Sequence, residues 1–367
     1  MPKNSVLLLM SGGVDSSVAG ALLLQQGFQV VGVTMKQLDV EPGQDVRGGC
    51  CSYGDVRDAK RVAASLGIAH YTINTAPEFH RRVIEPFIRA YEAGLTPNPC
   101  VRCNSFVRFE EALTLARQWD CEWTATGHYA RLSVDENGNP RLYRAVYREK
   151  DQSYFLYGIR PELLKSILFP LGNKTKDEVR AIARDLGLVT AEKPESQEIC
   201  FTLGRSYNEF LAQHLESREG PILNRAGKVL GTHPGVTHYT VGQRQGLGLS
   251  GGPYYVCEID ASRNAVIVGR REDLAVRDVS ATATRWIHPP RPGDRVLGQL
   301  RSRHHPAPAD VLNLDEGTVT LRFDEPQFGA APGQALVLSR DDEILGGGMI
   351  VPPKRKTDPG GLPESVA

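Results

Sequence analysis

Apolar runs alternate with amphipathic stretches through the first part of the chain, the pattern of buried strands and the helices that cover them. Strands are predicted at 6–10, 29–35, 71–74 and 123–126, and helices at 15–26, 55–66, 77–92 with a bend at Pro86, and 103–118. Such alternation implies a parallel sheet with helices on both faces, whose ligands bind beyond the carboxyl ends of the strands. The turn at 11–17, Met35 and the Gly127-His128 turn therefore share one edge of the sheet. A further helix is expected at 175–186, with Lys176 and Arg180 on its surface. After about Ser206 Gly and Pro become frequent, and short β-like runs appear at 254–259, 265–268, 295–300 and 318–323. A Gly-rich linking region at 235–252 carries Tyr239, Gln243 and Arg244, and the spacing over 276–352 predicts a small antiparallel barrel. The expected organisation is an α/β domain over 1–205, a small central domain over 206–272, a β-barrel over 273–353 and a disordered tail over 354–367.

A chain of 367 residues exceeds one compact core and fits two or three domains. Its 41% apolar and 23% charged content is ordinary for a soluble protein. No membrane-length apolar run occurs, and Met1-Pro2-Lys3 leads into the first strand without a signal peptide, so a cytoplasmic protein with no membrane partner is expected. In a reducing compartment the seven cysteines, Cys50, Cys51, Cys100, Cys103, Cys121, Cys200 and Cys257, read better as catalytic or metal-binding groups than as disulfides. The formal net charge is zero, which at first argues against a nucleic-acid partner, because phosphate contacts usually show as a basic surplus. Yet 32 of the 43 basic residues are Arg, the better bidentate phosphate ligand, and a zero sum can hide a basic face.

The first apolar run breaks into Ser11-Gly12-Gly13-Val14-Asp15-Ser16-Ser17. A buried strand that ends in paired glycines before a helix leaves unpaired backbone N–H groups, a seat for phosphate. Gly12 and Gly13 allow close backbone approach, and the Ser11, Ser16 and Ser17 hydroxyls and the helix dipole would add to the seat. No Gly-Lys-Ser/Thr follows, so this is not a Walker loop. It matches the pyrophosphate loop (PP-loop) of enzymes that cut ATP to AMP and pyrophosphate.

Asn98-Pro99-Cys100-Val101-Arg102-Cys103-Asn104 places a C-x-x-C pair at a helix start, where the dipole favours a thiolate, so Cys103 is a candidate nucleophile or ligand. Ser196-Gln197-Glu198-Ile199-Cys200-Phe201 presents a third cysteine in a polar loop. Three thiolates are too few for a closed zinc site unless Cys50, Cys51, Cys121 or a histidine supplies a fourth ligand, and they suit an iron–sulfur cluster with one open iron.

These two segments occur in series with Ser11 to Ser17, Ala125-Thr126-Gly127-His128-Tyr129-Ala130-Arg131, Lys150-Asp151-Gln152-Ser153-Tyr154 and Tyr239-Thr240-Val241-Gly242-Gln243-Arg244. Over nearly its whole length the chain resembles the bacterial tRNA-specific 2-thiouridylase family of PP-loop ATP pyrophosphatases. The resemblance implies an adenine nucleotide alpha hydrolase-like first domain and an ATP-dependent sulfurtransferase. Such an enzyme adenylates the C2 carbonyl of the wobble uridine in tRNAs for Lys, Glu and Gln, then inserts sulfur. It implies ATP contacts at Leu9, Met10, Ser11, Gly12, Gly13, Val14, Asp15, Ser16, Met35 and Gly127, with Mg²⁺ steered by Asp15. It implies tRNA contacts at Asn98, Pro99, Cys100, His128, Lys150, Asp151, Gln152, Ser302, Arg303 and Gln334. In the family's scheme Cys200 receives a persulfide sulfur and Cys103 attacks it, with Glu198 a candidate proton manager. The implied donor is a cysteine desulfurase, a sulfur-relay protein or inorganic sulfide.

Many family members carry Asp where this chain has Cys100, so Cys100, Cys103 and Cys200 form a three-thiolate set like that of thiolases with a [4Fe-4S] cluster. Persulfide and cluster both remain open at this level. Two other classes are compatible with the loop alone: a PP-loop ligase or amidotransferase acting on a small molecule, and a non-enzymatic RNA-binding or iron-sensing protein.

Overall fold

The computed structural model describes residues 4–39, 53–195 and 199–353. Cys50 and Cys51, Glu198 and the tail over 354–367 lie outside the described residues. The chain forms two compact units that interleave along the sequence. One holds Met1–Ile84, Cys100–Arg205 and Asp342–Ile344; the other holds Glu85–Pro99, Ser206–Asp341 and Leu345–Ala367.

In the first unit five parallel strands lie in the order Ala69–Asn74, Gln29–Lys36, Ser5–Leu9, Trp123–Ala125 and Ile167–Leu168. The strand Ser5–Leu9 is buried on both faces: Leu7 and Leu9 enter one core with Val33 and Ala112, and Val6 and Leu8 enter another with Val18 and Val62. Two apolar faces make it read as an unbroken apolar run. Strand order reverses beside it, because the chain builds outward to Ala69–Asn74 and then returns to its other side with Trp123–Ala125. Sheets of this kind open their ligand crevice at such a reversal. The turns after Leu9 and after Ala125 flank it.

Two helices differ from the expectation. The stretch 77–92 is not one helix bent at Pro86 but α-helix at Ala76–Phe79, π-helix at His80–Ile84 and α-helix at Glu85–Glu92. Pro86 has no N–H for the carbonyl of Arg82, and Arg102 Nε donates to that oxygen at 3.1 Å. The helix expected from Cys103 begins earlier, as Pro99–Cys103, π-helical Asn104–Arg108 and Phe109–Gln118. Proline is well suited to a first turn because it has no amide to leave unpaired. The hairpin Ala130–Val134 and Pro140–Arg144 was not expected, although Asn137-Gly138 between its strands is a turn signal and Gly138 sits at φ +74°. Its second strand pairs with Glu343 and Ile344.

In the second unit, strands Tyr255–Asp260, Ala265–Gly269, Gly220–Asn224 and Val229–His233 form a sheet over a core of Ile222, Val256, Val266 and Val268. Tyr239 and Leu247 join that core and so order the Gly-rich stretch 235–252. Six antiparallel strands, Val276–Trp286, Arg295–Gln299, Ala307–Asp315, Thr318–Gln327, Ala335–Arg340 and Glu343–Ile350, make the barrel, closed by pairing of the first with the last. Phe323, Leu321, Leu336 and Leu338 fill it. Segment 85–99 belongs to this unit because Tyr91 stacks on Tyr207, Phe87 meets Phe210 edge-on, and Thr96 N donates to Pro332 O. Among the described residues no helix is long and apolar enough to cross a membrane.

Leu8 is fully buried at the centre of the parallel sheet. Leu8→Ala is expected to lower the unfolding free energy by about 2–5 kcal/mol, and Leu8→Met by less than about 1.5 kcal/mol, in urea titrations followed by far-UV circular dichroism.

Candidate active site

The loop after Ser5–Leu9 stays tied to the sheet for one more residue: Met10 N donates to Val33 O at 2.8 Å, and Met10 O accepts from Thr34 Oγ1 at 2.7 Å. The side chains of Leu9, Met10 and Met35 are core, so a nucleotide would meet the backbone at these positions. Gly12 turns the chain at φ +73°, where a Cβ would lie 2.1 Å from Asp55 O. Gly13 is the N-cap of Val14–Gln25 and no side chain caps that helix, so its first-turn amides are left for an anion. On the far side of the strand reversal, a Cβ on Gly127 would lie 2.6 Å from Ser16 N. The two turns can pack this closely only because position 127 is Gly.

Of the three hydroxyls expected to point at a ligand, only that of Ser11 belongs to an exposed residue. Ser16 and Ser17 are buried and donate to Gly13 O at 3.1 and 2.8 Å, and Ser11 N donates to Ser16 Oγ at 3.2 Å. They brace the turn from within.

Asp15 lies in a charged cluster that the motifs did not disclose. Lys176 Nζ is 2.7 and 2.9 Å from its two carboxylate oxygens, and Tyr129 OH donates to Oδ1 at 2.9 Å. Lys176, expected on a helix surface, is 8% exposed and opens Lys176–Asp185 immediately after the Thr175 cap. A cation there faces the wrong end of the helix dipole. Asp15 and Glu195 hold it in place, with Glu195 Oε1 2.5 Å from Nζ, and Glu195 also takes Lys150 Nζ at 2.5 Å. Burial would raise the Glu195 carboxyl, but hydrogen bonds from Lys150 and Lys176 outweigh it and hold the pKa below its ordinary value. Burial and then the neighbouring Asp15 carboxylate push the Tyr129 phenol up, which keeps it a donor. A second lysine, Lys193, donates to Gly12 O at 2.9 Å and pairs with Asp55 and Asp58 at 2.7 and 2.6 Å. Burial works against its charge, and the two carboxylates more than offset that, so its pKa is raised.

Cys100, not Cys103, occupies the first turn of Pro99–Cys103, where a thiolate gains from the dipole. Cys100 is exposed; Cys103 is buried, and Gln37 Nε2, just past Gln29–Lys36, reaches its Sγ at 3.4 Å. Cys200 is half-buried and opens the 3₁₀ turn Cys200–Thr202. Both cysteine segments rest on the helix through 76–84. Phe201 meets Phe79 edge-on at 6.1 Å between centroids, and Arg82 Nη1 donates to Phe106 O at 3.0 Å while its own carbonyl accepts from Arg102. Among the described residues no three His, Cys, Asp or Glu side chains group as metal ligands. That gives no support for an iron–sulfur cluster on Cys100, Cys103 and Cys200, and Asp15 already pairs with Lys176.

Several residues matched to tRNA contact are internal. His128 is buried, with Nδ1 2.8 Å from Thr126 Oγ1 and Nε2 3.3 Å from Arg108 Nη1, which also donates to Asn104 Oδ1 at 3.1 Å. Asp151 accepts from Ala145 N at 2.9 Å and Ser153 Oγ at 2.9 Å and pairs with Arg144 at 3.2 Å. Gln152 bonds both ways to the Tyr129 backbone, at 2.9 and 3.0 Å. The Lys150-Asp151-Gln152 motif thus fastens Tyr129 and, through it, Asp15. In the second unit Asn98 is half-buried and Pro99 buried, Ser302 and Arg303 are exposed, and Gln334 Nε2 donates to Thr96 O at 2.8 Å.

Three family models match along the chain: a tRNA methyl transferase HUP domain over residues 4–204, a tRNA methyl transferase PRC-barrel domain over 208–270 and an aminomethyltransferase beta-barrel domain over 276–350. A protein of Gloeothece citriformis called tRNA-specific 2-thiouridylase MnmA is 45% identical over 353 residues, 95% of this chain and 99% of that protein. One of the same name from Geotalea uraniireducens is 45% identical over 357 residues, 95% of each chain. Another, from Carboxydothermus hydrogenoformans, is 44% identical over 358 residues, 95% of this chain and 98% of that protein. The chain belongs to the tRNA-specific 2-thiouridylase family. For a member of this family, an ATP-using sulfurtransferase, the crevice beside Ser5–Leu9 is the expected place for the nucleotide.

Burial and then Arg108 push the His128 pKa from 6.5 down to about 3. The folded protein therefore binds fewer protons than the unfolded chain below pH 6.5, and stability falls as pH drops from 6.5 toward 3, with no contribution above. The unfolding midpoint of a His128→Gln variant is expected to vary less with pH between 6.5 and 5 than that of the parent; parallel curves would contradict a buried neutral imidazole.

Proposed function

We propose that this chain converts the wobble uridine of tRNAs for Lys, Glu and Gln to 2-thiouridine. The observation that carries this reading is the buried Lys176, balanced by Asp15 and Glu195 beside an uncapped helix N-terminus, with Cys103 tethered by Gln37 at the same sheet edge. ATP, brought as its magnesium complex, would lay its phosphates along Ser11 to Ser16. Uridine O2 attacks the α-phosphorus, the bond to the β-phosphate oxygen breaks, and pyrophosphate leaves while the N3 proton is lost. Lys176 and the first-turn amides take the growing negative charge. Because Lys176 is neutralised beforehand by carboxylates, it is poised as a cation without holding a free charge in the core.

Sulfur follows. With a persulfide on Cys200, the Cys103 thiolate attacks the Cys200 sulfur, which forms a disulfide and releases hydrosulfide. Hydrosulfide adds at C2, AMP departs with the original oxygen, and the sulfur's proton ends on N3. A thiol reductant must reopen the disulfide each cycle. The shared support of both cysteine segments on the helix through 76–84 favours this scheme. We derive no step through an iron–sulfur cluster. His128 and Arg108 position the Gly127 turn, and the sulfur donor is a cysteine desulfurase, a relay protein or inorganic sulfide. A cytoplasmic location and divisions at 205/206 and 272/273 complete the proposal. A small-molecule ligase would have no use for two cysteine segments on one support, and a non-enzymatic RNA-binding or iron-sensing protein none for an uncapped nucleotide loop beside a buried lysine.

Cys103→Ser and Cys200→Ser are each expected to lower 2-thiouridine formation by about 100-fold or more, measured by mass spectrometry of digested tRNA, while tRNA-dependent pyrophosphate release persists. Metal-free protein with a persulfide donor should thiolate at full rate. Thiolation that persists in both variants, or that requires iron loading, would overturn the scheme.

A further inference from the structure

Positive charge in the second unit is distributed unevenly. Arg277, Arg295, Arg322 and Arg340 each pair with an Asp or Glu of the same unit. Arg244, Arg271, Arg301 and Arg303 are exposed, and no ion pair to them exists among the described residues. Two of them contact one residue, Phe328, and the other two lie a short way along the chain from residues beside it. The Arg271 guanidinium carbon lies 4.6 Å from the centroid of the Phe328 ring, and Arg301 Nη1 donates to Phe328 O at 3.3 Å. Arg303 is two residues further along the same turn. Arg244 follows Gly242, where a Cβ would lie 3.5 Å from Gly329 Cα.

Phe328 is 37% exposed. Folding alone gives no reason for this arrangement, since a phenylalanine gains by burial and uncompensated guanidinium groups repel one another. Single-stranded nucleic acid supplies the missing partner: a base for the aromatic ring and phosphates for the cations. We propose that Phe328, held by Arg271 and Arg301, is a stacking platform for an unpaired nucleotide of the bound tRNA, with Arg244 and Arg303 taking flanking phosphates. This rests on the tRNA reading above and adds Phe328, Arg244 and Arg271 to the motif-matched Arg303. Every base has a π-face, so the platform holds the RNA in register without reading its sequence.

The test is equilibrium binding of the full-length chain to fluorescently labelled tRNA between 50 and 200 mM salt. Phe328→Ala is expected to weaken binding about tenfold, and Phe328→Tyr to restore it. Phe328→Leu keeps the apolar bulk without the π-face and should behave like the alanine variant; if it behaves like the parent, the ring is packing and the proposal fails. Arg244→Gln, which removes a proposed phosphate contact, should lower the slope of log affinity against log salt by about one. ATP binding without tRNA should not change in any of them, which reports intact folding. If the parent binds tRNA and Phe328→Ala binds within about twofold of it, the platform alone is overturned. If the parent does not bind tRNA at all, the proposed function fails and the platform with it.

Discussion

The ion pair between Asp15 and Lys176 joins pieces of chain that are 161 positions apart and fixes the geometry of the crevice between them. Asp15 comes from the first turn of Val14–Gln25 and Lys176 from the first turn of Lys176–Asp185, so two helix N-termini meet at one pair. The carboxylate gains from its dipole and the ammonium does not. A buried pair of this kind gives little net stability, because desolvation offsets much of the attraction. What it holds in place is a lysine ammonium beside the uncapped start of Val14–Gln25. Tyr129, Glu195 and Lys150 extend the pair into a network, and Lys193 repeats the device on the Gly12 carbonyl.

Seen from that network, several motif residues change role. Gln152 clasps the Tyr129 backbone and Asp151 pins the turn before it, so both act on Asp15 through Tyr129. His128 works as a neutral connector between the Cys103 helix and the Thr126 turn, through Arg108 and Asn104. Burial, rather than proton transfer, decides its state. These groups give rigidity to the sheet edge, while Arg303 and Phe328 are exposed.

The parallel sheet and the loop at Ser11 were legible because strand burial, paired glycines and helix periodicity are local signals. The barrel showed in its strand spacing, and the order of its strands did not. Lys176 and Lys193 escaped because each sits in a polar stretch whose burial is created by distant chain, and nothing in their neighbours marks it. The helix predicted from residue 103 begins at Pro99, because a proline breaks the periodic pattern yet fits a first turn that needs no amide. The joining of 85–99 with the late chain depends on Tyr91 meeting Tyr207, a pairing that no local pattern encodes. The zero net charge concealed a division that only ion-pair geometry shows: some barrel arginines are neutralised, and those around Phe328 are not.

In the proposed reaction Lys176 is the cation that receives pyrophosphate charge, and tRNA-dependent pyrophosphate release in Lys176→Met and Lys176→Arg measures that role directly. The prediction, at a temperature where circular dichroism shows each protein folded, is a loss of about 100-fold or more in the rate for methionine and partial recovery for arginine; methionine also lowers the unfolding midpoint, because Asp15 and Glu195 lose their cation, and arginine does not. Release by Lys176→Met at the parent rate would contradict it.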